Sequence, residues 1–368
     1  MTSTTFLFGS PTLTLEGGVA GPQCSEELMG LYQAVVDRQR LSWTTHHRLI
    51  RLLGSGGQGE VYLGERRGTD NFTLPIALKI FSPSRYADDR GYADAMMRIA
   101  QVAAHVAQIQ QDNLLDVHNF VDRNRIRMME MEWVDGYDLN RLLTREMLVC
   151  VRDRVSNRRW KYINNVIVTD GPLRPRLKPG IAVAVIRQCL AALAALHRHA
   201  IVHGDLKPAN IMLKRTGNAK IIDIGSAFEI DDPPLSRTCT PNYAAPEVLE
   251  GADCTPRSDL ASLGYVLIEM LAGDQLFAGY NDFSDLLAAK RQLPRRLSAI
   301  LPEEVSCNRH LMNFCRTLIA PDPELRFPSA EAADLEQAGA ATFHRQLIKG
   351  DLASEYDNEI RLWLSELE

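Results

Sequence analysis

A run of glycines caught between two strands limits this chain more than any other feature. Gly54-Ser55-Gly56-Gly57-Gln58-Gly59 has G-x-G-x-x-G spacing, and residues 48–53 before it and 60–65 after it are short apolar or β-branched stretches. Alone the spacing says little, because glycine-rich turns are common. The continuation decides. A dinucleotide-binding turn opens a helix, whereas Glu60-Val61-Tyr62-Leu63-Gly64 continues as a second strand. Gly54, Gly56 and Gly59 therefore sit at a hairpin tip, where the missing Cβ lets backbone N–H groups approach the phosphates of a nucleotide.

The rest of the chain fits around that hairpin. Residues 74–81 and 126–134 read as further strands, and residues 92–110, rich in Ala and Met at helical spacing, as a helix. Beyond about residue 181 the pattern is mostly helical, with Pro- and Gly-marked loops. This predicts an α+β architecture of two lobes, a strand-rich one followed by a helix-rich one.

Composition excludes several classes. With 45% hydrophobic and 24% charged residues the 368-residue chain is ordinary globular protein, not wholesale disorder. A net charge of −5 argues against a globally basic nucleic-acid binder, so no nucleic-acid partner is expected. The 7 cysteines show no CxxC pair, which argues against a structural zinc site and a disulfide framework. A reducing, cytoplasmic setting is the simplest reading. No signal-peptide pattern opens the chain. The longest apolar stretch, Ile181 to Leu196, is interrupted by Arg187 and Gln188 and reads as too short and too polar to span a bilayer, so no membrane association is expected. Residues 1–24 read as a loosely ordered arm, and Ser25 as the cap of a helix to about Arg40 with Leu28, Leu31, Val35 and Val36 on one face.

The third strand reads Ile76-Ala77-Leu78-Lys79-Ile80-Phe81. Positions two apart share a face, so Ala77 leaves room for a flat base where Lys79 reaches the α- and β-phosphates. A lysine among five apolar neighbours is rare unless an anion awaits it. In isolation it would read as an edge-strand lysine reaching for solvent. Residues 203–210 read His-Gly-Asp-Leu-Lys-Pro-Ala-Asn, and Asp223-Ile224-Gly225 begins thirteen residues after Asn210. Phosphoryl transfer needs a carboxylate at the attacking hydroxyl, oxygen ligands for Mg²⁺ and cations on the moving phosphate. Asp205 suits the first role, Asn210 and Asp223 the second, Lys207 and Lys79 the third.

In this order the chain resembles the eukaryotic-like (Hanks-type) Ser/Thr protein kinase family over about residues 47–335, with an N-lobe at 47–134 and a C-lobe at 135–335. An extension with one helix, 1–46, would precede it and an acidic helical tail, 336–368, would follow. The resemblance implies a bilobal protein-kinase-like fold, with a small β-rich N-lobe that holds one long helix, a larger helical C-lobe and a nucleotide cleft between them. It also implies transfer of the γ-phosphoryl of ATP, with Mg, to a protein hydroxyl. It makes Asp205 the catalytic-loop base and Lys207 its companion, and it makes Asn210 and Asp223 the metal ligands. Thr240-Pro241-Asn242-Tyr243-Ala244-Ala245-Pro246-Glu247 resembles the end of an activation segment, with Glu247 pairing with Arg326 and Asp259 holding the catalytic loop's backbone. Residues Met131 to Asp138 look like the family's hinge. Met131 would be the gatekeeper, the backbone of Glu132 and Val134 would bond the adenine, and Asp138 the ribose. Val61, Ala77 and Met212 would enclose the ring, although plain core packing also suits Val61 and Met212.

The pattern is broken in places. Between Lys79 and Glu130 there is no Glu at all, whereas the family has a helix Glu that orients the strand lysine. Val102 falls at that place, beside Gln101, whose amide offers a neutral hydrogen bond; Asp94 would serve only with the helix placed differently. This opens a second reading, a nucleotide-binding pseudokinase acting as a regulatory or scaffold module. A third, a small-molecule kinase, ranks last, because Ala245-Pro246-Glu247, Asp259 and Arg326 fit peptide-substrate kinases better. Gly204 replaces the usual Arg before the catalytic Asp, which argues against switching by loop phosphorylation at Thr238 or Thr240.

Residues 141–180 hold ten Lys/Arg against three Asp/Glu, and residues 331–368 nine Asp/Glu against three Lys/Arg. The plain reading is two solvated faces. The other is a basic insert, about 145–180, that meets an anionic protein partner or the acidic tail itself. Residues 148–151 and 162–168 read as a hairpin within that insert. A protein substrate is expected, with the extension, insert and tail as candidate partner surfaces.

Overall fold

The structure, a computed structural model, describes residues 46–86, 88–234, 239–280, 282–348 and 356–367. The expected N-terminal arm and helix, and Thr238, lie outside these. Residues from His47 onward make one compact unit.

Strands β1 (His46–Gly56), β2 (Gly59–Arg67), β3 (Thr73–Phe81), β4 (Val117–Arg123) and β5 (Ile126–Glu132) form one sheet in the order β1-β2-β3-β5-β4. The β4–β5 turn places Asn124 and Arg125 at φ 53° and 69°, the two-residue turn that matches the strands' own twist. Register sets the cleft wall: Val61 pairs with Lys79, Ala77 with Met131 and Lys79 with Met129. One helix, α1 (Asp89–Val106), joins this lobe. Asp88 caps it by accepting from Gly91 N–H at 2.7 Å, and Tyr92, Met96, Val102, Ala103 and Val106 bury its inner face.

After β5 the chain bends into β6 (Gly136–Asp138) and a helical turn over Leu139–Leu142. The insert then forms two helices, α2 (Arg145–Arg154) and α3 (Asn157–Val166), and not the expected hairpin. The reason is local. Thr144 and Ser156 accept from Met147 and Arg159 N–H as N-caps, and Met147, Val151, Trp160 and Ile163 recur at helical spacing toward the core. Strand pairing survives only as β7 (Val168–Thr169) on β8 (Arg176–Leu177).

Helix α4 (Pro179–Arg198) is longer than its central apolar run suggests. By length and composition alone it is long and apolar enough to cross a membrane, contrary to the expectation from sequence, yet most of it is buried inside the larger lobe. Beyond it come β9 (Ile201–Val202), β10 (Ile211–Lys214), β11 (Ala219–Ile221) and β12 (Phe228–Glu229), with β10 central in the order β11-β10-β6 and β12 on β9. Helix α5 (Pro256–Ala272) is the second core helix. A Thr255–Ser258 capping box and Pro256 start it, Gly273 in the left-handed conformation ends it, and every residue from Ser258 to Ala272 is buried. Each fully buried Leu, Ile or Val there contributes about 1.5–3 kcal/mol relative to exposure. Helices α6 (Phe283–Ile300), α7 (Arg309–Leu318), α8 (Ala340–Ile348) and α9 (Tyr356–Ser365) complete the lobe. The last two pack on α4, and Ile360, Trp363 and Leu364 of α9 are part of the core. The basic insert meets that acidic end directly: Arg159 donates to Glu366 at 2.7 Å and to Glu359 at 3.4 Å, and Tyr162 to Glu359 at 2.9 Å.

Candidate active site

The loop between β9 and β10 is held from beneath by the first turn of α5. Asp259 is 1% exposed there, and its carboxylate accepts from the backbone N–H of His203 at 2.9 Å and of Gly204 at 3.0 Å, with His197 Nε2 at 3.0 Å. Burial alone would raise this carboxyl's pKa. The hydrogen bond and charge of His197, with His203, outweigh burial and hold it below the usual carboxylate range. Gly204 turns with φ +75°, a left-handed conformation that suits glycine.

The held loop presents Asp205 and Lys207. Asp205 Oδ2 accepts from Lys207 Nζ at 2.6 Å, and Oδ1 from Thr240 Oγ1 at 2.7 Å; Lys207 also reaches Thr240 Oγ1 at 3.2 Å. Thr240 is kept in place by its own segment's anchor. Arg326, 4% exposed, donates to both carboxylate oxygens of Glu247 at 2.6 and 2.7 Å and to the carbonyl of Ala320 at 2.7 Å.

Asn210 and Asp223 adjoin across the β10–β11 hairpin, where Ile222 N–H donates to the Asn210 carbonyl at 2.8 Å. Asn210 Nδ2 donates to the Asp205 carbonyl at 2.7 Å, which leaves its amide oxygen unspent. Asp223, at φ +63°, accepts through Oδ1 from Gly225 N–H at 3.0 Å and from Lys79 Nζ at 2.5 Å. Burial pushes its carboxyl up, but Lys79 and the Gly225 N–H prevail and the net direction is down. An amide oxygen and a carboxylate oxygen are hard donors of the kind Mg²⁺ takes, with phosphates and water supplying the rest. Among the described residues no group of three or more His, Cys, Asp or Glu is placed to hold a metal ion by itself, so a metal here depends on such shared ligation.

Residues 47–336 match the family described as protein kinase domain. The chain belongs to the Hanks-type Ser/Thr protein kinase family. It is 34% identical over 231 residues to serine/threonine-protein kinase PknD of Mycobacterium tuberculosis, covering 62% of this chain and 30% of that protein. It is 28% identical over 301 residues to serine/threonine-protein kinase PrkC of Bacillus subtilis, covering 79% and 40%. With PknA of Corynebacterium glutamicum the identity is 28% over 289 residues, covering 77% and 53%. The chain thus spans between about a third and a half of these curated relatives.

The segment that resembles the family's hinge, residues 131–138, lies where β5 leaves the sheet. Met131 and Ala77 are buried opposite each other, Val134 is buried in the bend, and Met212 faces Asp138 across β10 and β6. Val61 and Met212 are half-buried against the core, so packing is part of their role. Glu132 spends its N–H on the Asp116 carbonyl at 3.0 Å and its carboxylate on buried Lys220. Asp138 caps the turn over Leu139–Leu142, accepting from Arg141 N–H at 2.9 Å. Around Gly54 and Gly56 a Cβ would meet nothing within 4 Å, whereas at Gly59 it would strike the Ile80 carbonyl, so Gly59 is required by strand β3 whatever lies above the loop.

The lysine's partner is the main surprise of the site. Gln101 is exposed, Asp94 lies 4.0 Å from Arg90 on the helix surface, and buried Val102 has no polar atom to offer. The expected α1 contact to Lys79 is therefore absent among the described residues. Gln58 supplies it instead, through Oε1 at 2.7 Å. The only hint in the sequence is a long polar side chain inside the glycine run.

Proposed function

We propose that this chain is an ATP- and Mg²⁺-dependent protein Ser/Thr kinase that transfers the γ-phosphoryl group of ATP to a protein hydroxyl. One observation carries the reading: Asp205, Lys207 and Asn210 form one hydrogen-bonded cluster with Thr240, and the Lys79–Asp223 pair adjoins it through Ile222, whose N–H donates to the Asn210 carbonyl. The hydroxyl of Thr240 already donates to Asp205, the same approach an acceptor Ser or Thr would make. Asp205 orients that acceptor and takes its proton as the bond to phosphorus forms. Lys207 keeps the carboxylate aimed, and Lys79 binds the nucleotide's α- and β-phosphates. Asn210 and Asp223 would hold Mg²⁺, which supplies charge neutralisation on the phosphates. Ala77, Val61, Met131 and Met212 suit a flat base, and Glu132, Val134 and Asp138 suit its polar edges and the ribose.

The absence of an acid on α1 that reaches Lys79 favours a second reading, a nucleotide-binding pseudokinase. One assay separates them. Wild type, Lys79→Ala and Asp205→Ala are given labelled ATP with Mg²⁺ or Mn²⁺ and a generic basic protein acceptor. Transfer by wild type, lost in Asp205→Ala, is the expected result. Nucleotide-induced thermal stabilisation without transfer in wild type would establish the pseudokinase.

A further inference from the structure

Gln58 is bound at both ends of its amide. Oε1 accepts from Lys79 Nζ at 2.7 Å, and Nε2 donates to Ser226 Oγ at 2.9 Å. The orientation is forced. An ammonium has only donors and must face Oε1, and Nε2 then needs an acceptor, which the Ser226 hydroxyl provides. The amide passes directly over Gly225, where a Cβ would lie 2.1 Å from Gln58 Oε1 and 2.6 Å from Lys79 Nζ. Gln58, Lys79, Asp223 and Ser226 thus close one circuit across the cleft, and Gly225 is the gap that lets it close.

We infer that Gln58 is the positioning residue for Lys79, performing from the glycine loop the task that a helix glutamate performs elsewhere in the family. The inference rests on the kinase reading for what Lys79 then binds. Two consequences follow from the chemistry. A carboxamide brings no charge, so Lys79, which already faces Asp223, keeps more of its positive potential for phosphate oxygens than it would beside a second carboxylate. The amide also belongs to the segment that covers the phosphates. Lys79 is therefore oriented by the position of the loop, and α1 is released from that task, as its surface-facing Gln101 and Asp94 reflect.

The test is a double-mutant cycle on nucleotide affinity, read by calorimetry with Mg·ATP and Mg·ADP, alongside transfer rates. Gln58→Ala is expected to weaken Mg·ATP binding by about 10- to 100-fold, the range for a hydrogen bond to a charged group. In a Lys79→Ala background the same change is expected to alter affinity less than about twofold, because Gln58 acts through Lys79. Gln58→Glu restores an acceptor and is expected to retain transfer better than Gln58→Ala. Gly225→Ala, whose Cβ would crowd both the amide and Lys79 Nζ, is expected to weaken Mg·ATP binding at least as much as Gln58→Ala. Wild-type affinity and turnover in Gln58→Ala, or losses that add independently in the double variant, would overturn the inference. Wild type that binds nucleotide but transfers nothing overturns the kinase reading, and the affinity cycle still decides on Gln58. Wild type that binds no nucleotide overturns both.

Discussion

Two lysines of the site are held by different means. Lys207 is fixed by its neighbour Asp205, two residues away, and by Thr240, and this end follows the family pattern except at Gly204. Lys79 is fixed by Asp223 and by Gln58 of the glycine loop, and this end departs from it. A carboxylate serves at both, but the second partner is a hydroxyl from a well-anchored segment in one case and an amide from a loop tip in the other. The Asp205 end, the proposed acceptor side, is built on a buried frame, while the Lys79 end, the proposed nucleotide side, is assembled by a loop.

The largest effect is expected at the acceptor side. Asp205→Ala removes the group that both Lys207 and Thr240 address, and general-base loss of this kind costs about 10²- to 10⁴-fold in rate. Phosphate transfer should fall to that extent with the thermal midpoint nearly unchanged. Retained autophosphorylation would break the assignment of this end. The frame beneath it comes next. Arg326→Ala strands the Glu247 carboxylate and empties three carbonyl contacts. Removing one partner of a buried ion pair costs about 3–5 kcal/mol, so urea unfolding should show a loss of that size; a loss under about 1 kcal/mol would show that the segment is held by something else.

Thr240 sharpens the contrast between the two ends. Thr240→Asp places a second carboxylate against Asp205, where like charges oppose one another. Transfer is expected to drop about 100-fold, equivalent to about 2.7 kcal/mol, while Thr240→Ser stays within a few-fold of wild type. An increase in activity in the Asp variant would mean that Thr240 is a switch and not a strut, despite the lack of an arginine at position 204.

Much of this was legible in the sequence, and the failures share a cause. That Asp205, Lys207, Asn210 and Asp223 lie near one another was readable because two short segments, 203–210 and 223–225, hold them. Strand β4 was missed because His118, Asn119 and Asp122 dilute its pattern and its register to β5 shifts between Val117 and Asn119. The insert reads as a hairpin because Val149, Val151, Ile163, Val166 and Ile167 are β-branched, but two hydroxyl caps and helical burial outweigh that propensity. The tail was half-readable: contact with the basic insert was one reading of its charge beside the plainer one of a solvated face, and the fold shows Arg159 meeting Glu366 and Glu359. Gln58 was missed because its partner is 21 residues away on another strand, and no local pattern encodes that meeting.

The smallest expected effect concerns the carboxylate beneath the acceptor side. Asp259 is held below the ordinary carboxylate range by His197 and the His203 N–H, against the pull of burial. Its unfolded value is about 3.9. Between the two values the unfolded chain binds more protons than the folded one, so stability rises with pH there. The contribution is complete above about pH 4 and is lost as pH falls through the folded value. Asp259→Asn keeps the shape but not the charge facing two backbone donors and an imidazole. It should cost about 1–3 kcal/mol at neutral pH, and the gap between wild type and variant should close as the pH is lowered toward 3 (chemical denaturation at each pH reads it directly). Because Asp259 bonds the backbone of His203 and Gly204 and none of Gln58, Lys79 or Asp223, Mg·ATP affinity in the variant should stay near wild type under conditions where it is folded. A gap that does not change with pH would mean that shape and not charge holds the catalytic loop, and a parallel loss of nucleotide affinity would mean that the two ends of the cleft are not built separately.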